Sequence, residues 1–379
     1  MKALEKLQLL GPAASYEPAE EVAMQGTAAP PTADPSLAGS VYRAVMPGGK
    51  RIALLKTLLT SACEQNCRYC PFRAGRDFRR ATFSPDELAA IFMQLYRQNA
   101  VAGIFLSSAI AGGATRVQER LIDTAQILRR SGFGGYIHLK IMPGAERDQI
   151  RAAMSLADRV SLNLEAPNPQ RLQCLAPKKV FDDDLYQRLK WVHEIRRESG
   201  GRGPSSATQF VVGPAGESDL ELLAVTVRLY HDLGLARAYY SSFRPVADTP
   251  LADSAPSPPL REHRLYQASF LLRDYGFDLE EMPFDDDGNL PHHVDPKLAW
   301  AQRDLTEQPV ELNRAGYELL LRVPGIGPKG ARQLLAARRR GTLRDLGDLR
   351  RLRIAADRAA PFILLDGRRP ARQLSFWST

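Results

Sequence analysis

Leu58-Leu59-Thr60-Ser61-Ala62-Cys63-Glu64-Gln65-Asn66-Cys67-Arg68-Tyr69-Cys70 closes an apolar run and passes at once into three cysteines spaced C-x3-C-x2-C, with an aromatic residue just before the last. The run Ile52–Leu59 predicts a strand, so the cysteines fall on the loop at its C-terminal end. Three thiolates on one loop can hold three irons of a cubane cluster and leave the fourth iron without a protein ligand. Cys63, Cys67 and Cys70 are therefore the expected metal ligands. The alternatives are three free buried thiols, or a structural zinc with Cys174 as fourth ligand. Zinc sites usually come as two close pairs of ligands rather than as three together and a fourth about 100 residues away. Four cysteines in all are too few and too clustered for a disulfide framework.

Beyond the cysteine loop, short apolar runs alternate with longer amphipathic ones. Gly103–Ser107, Tyr136–Lys140, Val160–Leu164, Thr208–Val212 and Ala238–Ser241 predict five more strands. Helices are expected over Gln118–Arg130, Arg147–Ala157, Asp184–Glu198 and Ser218–Leu233. The clearest helix start is Ser84-Pro85-Asp86-Glu87, a Ser cap with Pro in the first turn and Glu placed to close a capping box; Leu88, Ile91, Phe92 and Leu95 mark the buried face behind it. Six strands alternating with helices imply an α/β fold with a parallel sheet, either open and doubly wound or curved as a barrel. In both, ligands sit at the C-terminal ends of the strands.

With 44% hydrophobic and 25% charged residues, the 379-residue chain has the composition of a globular protein rather than of a disordered one. No apolar run is long enough to span a bilayer, and Glu5 and Lys6 interrupt the first apolar stretch, so no signal peptide, no membrane partner and a cytoplasmic location are expected. The expected organisation is a lead-in over 1–50, partly flexible because 19–50 lacks helical or strand periodicity; a core over 51–250; a connector with an auxiliary helix, His263–Tyr275, over 251–308; and a small helical domain over 309–379. Charge follows this division. Residues 321–379 carry 14 Lys and Arg against 4 Asp, whereas the rest of the chain is close to neutral. A basic segment on a neutral body points to a polyanion, because Lys and Arg that displace counterions from phosphates supply most sequence-independent nucleic-acid affinity; the alternative is a solvated basic tail.

C-x3-C-x-aromatic-C after the first strand of a repeating βα chain resembles the radical SAM superfamily, in which S-adenosylmethionine (SAM) chelates the unique iron of a [4Fe–4S] cluster. MKALEKLQLLGPAASYEPA, FLSSAIAGG, YIHLKIMPGA, RVSLNLEAP, FVVGPAGESD, PLREHRLYQASFLLRDYGF, DPKLAWAQRD and LLRVPGIGPKGARQLLAARR together resemble the DNA modification/repair radical SAM proteins with a C-terminal helix-hairpin-helix. Where that family carries a Cys/Ser-rich stretch, this chain has Tyr16-Glu17-Pro18-Ala19-Glu20-Glu21. The resemblance implies a partial (βα)6 TIM-like barrel followed by a small all-α hairpin domain.

It also implies a set of cofactor-binding positions. Tyr69 is the aromatic beside the last cysteine. Ser107 and Ser108, with Gly112-Gly113 following, stand where the superfamily often has GGE at the methionine amino group; the alternative is two small residues capping a strand. Lys140, Asn163 and Glu165 stand at the ends of the third and fourth strands, where ribose or methionine carboxylate contact is expected. Alternation would put Ser161, Asn163 and Glu165 on one face, and polar groups on the inner face of a barrel are costly unless they bind something; the alternative is a solvent-facing edge. Gly213 and Glu217 resemble the turn beside the adenine. After the sixth strand come Tyr239, Tyr240 and Ser241; the two tyrosines are candidates for the substrate opening, and the alternative is plain packing.

Val323-Pro324-Gly325-Ile326-Gly327-Pro328-Lys329-Gly330 resembles the hairpin itself, between a helix ending at Leu319–Val323 and one starting at Pro328. Gly325, Gly327 and Gly330 let backbone approach a phosphate, the helix start offers free amides, and Lys329 and Arg332 add charge. Such contacts position nucleic acid without reading sequence, and a hairpin of this type can instead hold a protein. The expected function is a radical SAM enzyme that reductively cleaves SAM to a 5′-deoxyadenosyl radical and acts on DNA, in modification or repair, with an electron donor such as flavodoxin or ferredoxin. The alternatives are a non-catalytic cluster-bearing nucleic-acid-binding module, or a radical SAM enzyme of a small metabolite whose hairpin serves a protein partner.

Overall fold

The computed structural model describes residues 1–14, 39–45 and 51–370 of the chain. The expected flexible lead-in over 19–38 and 46–50, and the stretch Tyr16–Glu21, lie outside the described residues. Two compact units emerge, one of Met1–Glu217 with Arg228–Glu262, the other of Ser218–Val227 with His263–Thr379. No described helix is long and apolar enough to cross a membrane.

The first unit is an α/β structure around a curled seven-stranded sheet. Its strands are β1 (Val41–Val45), β2 (Arg51–Leu58), β3 (Gly103–Ser107), β4 (Tyr136–Lys140), β5 (Arg159–Ser161), β6 (Ser205–Val212) and β7 (Arg237–Ser242). They lie in sequence order; β1 is antiparallel to β2 and every later neighbour is parallel. The segment read as lacking strand periodicity thus supplies an edge strand, held by backbone pairing such as Val41 with Leu55. Apolar side chains fill these strands because helices cover a parallel sheet. Gly103 is required by close approach, since a Cβ there would lie 2.6 Å from Leu54 Cδ2 and 2.7 Å from the Tyr136 carbonyl.

Helices α1 (Ala3–Ala13), α2 (Pro85–Arg97), α3 (Ala114–Arg130), α4 (Arg147–Leu156), α5 (Pro169–Leu175), α6 (Gln187–Glu198), α7 (Asp219–Leu233) and α8 (Pro259–Asp274) precede, separate and follow the strands. The Ser84 box forms as read: Ser84 Oγ accepts from Glu87 N at 3.1 Å and Glu87 Oε2 accepts from Ser84 N at 2.9 Å. Two readings need correction. The helix expected from Asp184 opens with a wider π turn, Phe181–Tyr186, before α6. The strand expected over Val160–Leu164 ends at Ser161, because the Thr208 hydroxyl donates to Leu162 O and accepts from Leu164 N, substituting for ladder bonds, and Glu165 then adopts a left-handed φ of 65°.

The second unit contains α9 (Pro296–Asp304), β8 (Val310–Glu311), α10 (Tyr317–Arg322), α11 (Pro328–Arg338), α12 (Leu346–Arg351), α13 (Ala356–Ala359) and β9 (Ile363–Leu364). Strands β8 and β9 pair in parallel, so this part is not all-α as expected. Val310 and Ile363 are buried, and the Glu311 carboxylate accepts from Asn313 N and Gly367 N, which fixes both ends of the pair. Gly325, at φ +85°, turns the chain between α10 and α11 where a Cβ would meet the Ala355 carbonyl at 2.6 Å.

Candidate functional site

The cysteine loop is pinned before any ligand is considered. Ser61 exchanges two bonds with Ala81 at 3.0 Å each: its N donates to the Ala81 carbonyl and its Oγ accepts from the Ala81 amide. The Arg80 guanidinium donates to four carbonyls, those of Ser61, Phe72, Arg73 and Arg76, at 3.0 to 3.1 Å, and lies over the Phe78 ring. Glu64, between the first two cysteines, accepts from the amides of Gly112 and Gly113 at 3.0 and 3.2 Å, tying the loop to the turn before α3. These bonds fix the backbone on which the three thiols sit.

Cys63, Cys67 and Cys70 line one cavity of about 610 Å³ at the C-terminal ends of the strands. Tyr69, Ser108, Lys140, Asn163 and Glu165 line it too, as does Ser241. Three expected residues lie elsewhere. Ser107 is fully buried in β3, with its carbonyl accepting from Leu59 N. Gly213 and Glu217 form their own turn, in which the Glu217 carboxylate accepts from Gly213 N and a Cβ on Gly213 would collide with Ser257 Oγ. Tyr239 and Tyr240 are buried packing residues. Cys174 is exposed on α5, outside the cavity, with Sγ on Gln170 O.

Two cavity residues were not anticipated. Lys179, just after α5, donates from Nζ to Glu165 Oε1 at 2.9 Å. Nothing in APKK distinguishes it from a solvated lysine. Gln209 is 4% exposed on β6, and its Oε1 has no hydrogen-bond partner. Its polarity inside TQFVV was the available signal. Glu165 Oε2 is likewise buried and unpartnered, while Oε1 is taken by Lys179. Asn163 accepts from Lys140 Nζ.

Electrostatics follow from burial. Desolvation pushes the Cys67 thiol up, partly offset by Lys179, and pushes the Cys70 thiol further up. It also raises the Tyr69 phenol well above its ordinary value, with Glu165 adding to the effect. Burial alone would lower the Lys179 ammonium, but the paired Glu165 carboxylate outweighs it and holds the lysine charged. The bare Cys67 and Cys70 thiols stay protonated, so ligation of a cation is what would make them thiolates.

Among the described residues no three His, Cys, Asp or Glu side chains converge on a single ion position. A mononuclear zinc needs such convergence, whereas a cubane takes each thiolate on a separate iron. The donors therefore suit a cluster better than zinc. Buried unpartnered acceptors beside a retained ammonium also suit a polar organic molecule with hydroxyl and amino groups, because buried polar atoms without partners are costly.

Residues 57–226 match the model of the Radical SAM superfamily. The chain carries a radical SAM domain. The cofactors of such a domain are a [4Fe–4S] cluster and SAM. No curated protein matches the chain. Among solved structures, the [FeFe]-hydrogenase maturase HydG from Carboxydothermus hydrogenoformans is 16% identical with a TM-score of 0.48, over 58% of this chain and 51% of that one. Methylornithine synthase PylB is 13% identical with a TM-score of 0.47, over 58% and 62%. The methyltransferase TsrM from Kitasatospora setae, with cobalamin and a [4Fe–4S] cluster bound, is 13% identical with a TM-score of 0.40, over 75% and 60%. The chain thus spans between about half and three fifths of these proteins.

Proposed function

We propose that the chain is a radical SAM enzyme acting on DNA, in modification or repair, with a C-terminal helix-hairpin-helix that grips phosphates. The observation that carries the catalytic half is the convergence of Cys63, Cys67 and Cys70 with Glu165, Gln209 and Lys179 on one cavity of a radical SAM domain. When bound and reduced by a donor such as flavodoxin or ferredoxin, the cluster and SAM supply a 5′-deoxyadenosyl radical that abstracts hydrogen. The chain's own residues fix and shield that chemistry. The three cysteines hold irons on a pinned loop, Lys179 and Lys140 offer cations to the methionine carboxylate, and Asn163, Glu165 and Gln209 offer acceptors to ribose hydroxyls and the amino group. Ser108 borders the same space, although its hydroxyl donates to Ala109 O at 2.8 Å.

The DNA half rests on the turn between α10 and α11. Gly327 caps α11, Pro328 opens it, and Lys329 carries no side-chain bond among the described residues. Among the described residues Arg339 and Arg340, at its far end, likewise make no side-chain bond. Arg332 reaches the Tyr317 hydroxyl at 3.4 Å, whereas Arg338 donates to Leu312 O and Ala315 O and so serves packing. Free amides at a helix start, with the unpaired Lys329 beside them, suit a phosphate backbone. Anaerobic reconstitution with SAM, a reductant and DNA tests the proposal. The expected products are 5′-deoxyadenosine and altered DNA; SAM left intact under reduction would remove the enzymatic reading, and 5′-deoxyadenosine with unaltered DNA would remove the substrate.

A further inference from the structure

The wall of the cavity is divided. The ends of β2 to β6 supply the cysteines and the buried acceptors, whereas the end of β7 supplies Phe243, Arg244, Pro245 and Val246. On that second side Arg244 is exposed, and its guanidinium makes no hydrogen bond or ion pair among the described residues. Phe72 of the cysteine loop, half-buried and tilted against Phe78 at 6.1 Å, lines the same cavity. The two loops are tied together, because Arg76 donates from Nε to Ala247 O at 2.9 Å and from Nη1 to Pro71 O at 3.1 Å. The Glu262 carboxylate holds the Ser242 amide at 2.8 Å, fixing the end of β7 itself. This is a framed mouth, with one uncommitted guanidinium and one aromatic ring.

We propose that the β7 side of the cavity is a substrate subsite for one unpaired nucleotide, with Arg244 on its phosphate and Phe72 against its base. The proposal rests on the nucleic-acid reading above and names the form in which the substrate enters. A guanidinium with all its donors free presents a planar fork that matches two phosphate oxygens. An aromatic face beside it stacks any base without reading its identity. A base inside a duplex cannot reach an atom held within a strand-end cavity, so it must be unpaired or swung out of the stack first. The cofactor side already takes the cavity's buried acceptors, which leaves the exposed mouth to the incoming nucleotide. The neighbouring loop is basic as well, with Arg68 and Arg79 exposed, so the flanking phosphates meet favourable potential.

The test is fluorescence anisotropy of a labelled single-stranded DNA 20-mer, and of the same strand as duplex, on the full-length reconstituted chain with SAM. Titrations of wild type, Arg244→Ala and Arg244→Lys are made at two salt concentrations, with iron content as the check on integrity. Arg244→Ala is expected to weaken single-strand binding about tenfold and to reduce the salt slope by about 0.7, one phosphate contact's worth. Arg244→Lys should keep the slope, and the duplex should be affected less. Wild-type affinity and slope in Arg244→Ala, with iron retained, would overturn the subsite while leaving the nucleic-acid reading standing. Equal weakening of single strand and duplex would overturn the unpaired-nucleotide assignment. A flat, weak response of the wild type to both probes would remove the nucleic-acid reading and the subsite with it.

Discussion

Lys179 Nζ lies 2.9 Å from Glu165 Oε1, with the two side chains only 10% and 5% exposed. Glu165 reaches this position from a left-handed backbone at the end of the interrupted β5, where its amide bonds Gln209 O and its carbonyl accepts from Val211 N. A non-glycine residue held in that conformation stores strain that the surrounding bonds must offset. The ion pair therefore belongs to a site whose geometry is set from several directions at once.

Breaking this pair from one side leaves a buried charge without compensation. Lys179→Met is expected to cost about 3 to 5 kcal/mol, while Lys179→Met with Glu165→Gln should cost less than the sum of the two single changes. Thermal and urea unfolding of the cluster-free chain measures both. Single variants within about 0.5 kcal/mol of wild type would mean that the pair is solvated.

Anaerobically prepared protein should hold about four irons and four sulfides per chain. Cys63→Ala, Cys67→Ala and Cys70→Ala should each abolish the cluster absorbance. Cys174→Ala should retain it, since that thiol is exposed on α5 and outside the cavity. Loss of the cluster in the Cys174 variant would restore a four-cysteine site.

Asn163→Ala and Gln209→Ala are expected to weaken SAM binding by about 1 to 3 kcal/mol through loss of a buried hydrogen bond. Equilibrium dialysis against the reconstituted protein reads this directly. Ser107→Ala serves as the contrast: the serine is buried but does not line the cavity, so affinity should hold.

In the second unit, Lys297 donates to Ile326 O at 2.6 Å and lies against the Tyr275 ring. Burial, opposed by Asp295 and reinforced by Arg358 and Arg322, lowers its ammonium to about 7. A lysine whose folded value lies below its unfolded one binds more protons when unfolded. The resulting destabilisation is full below pH 7 and fades as pH rises towards the unfolded value near 10.4. Wild type should therefore gain stability between pH 7 and 10 relative to Lys297→Met. Parallel pH profiles for the two proteins in a denaturation series would contradict the shift.

Lys329→Ala combined with Arg332→Ala should lower the salt slope for duplex DNA by about 1 to 2 and weaken all sequences alike. Point variants are the right tool, because removing 309–379 would cut through a compact unit that begins at His263 and includes Ser218–Val227. Sequence-selective loss would argue against backbone contacts.

The sequence alone determined the cysteine loop, the alternating βα order and the first turn of α2, because each depends on neighbours along the chain: thiol spacing, apolar periodicity, a cap and its box. Through the resemblance it also marked Tyr69, beside the last cysteine, and Ser108, Lys140, Asn163 and Glu165, which sit at or just past strand ends that local pattern can locate. What it could not determine were the relations that arise between distant segments. Lys179 reads as a solvated lysine until α5 places it beside Glu165, 14 residues earlier. Edge strand β1 has no periodicity of its own and exists because β2 offers unpaired backbone groups. The early end of β5 depends on a hydroxyl from β6, and the parallel pair β8–β9 joins residues more than fifty positions apart. Gly213 and Glu217 carry a suggestive local pattern, but tertiary packing against Ser257 turns them away from the cavity. Burial decides which polar atoms lose water, and burial is a property of the folded whole.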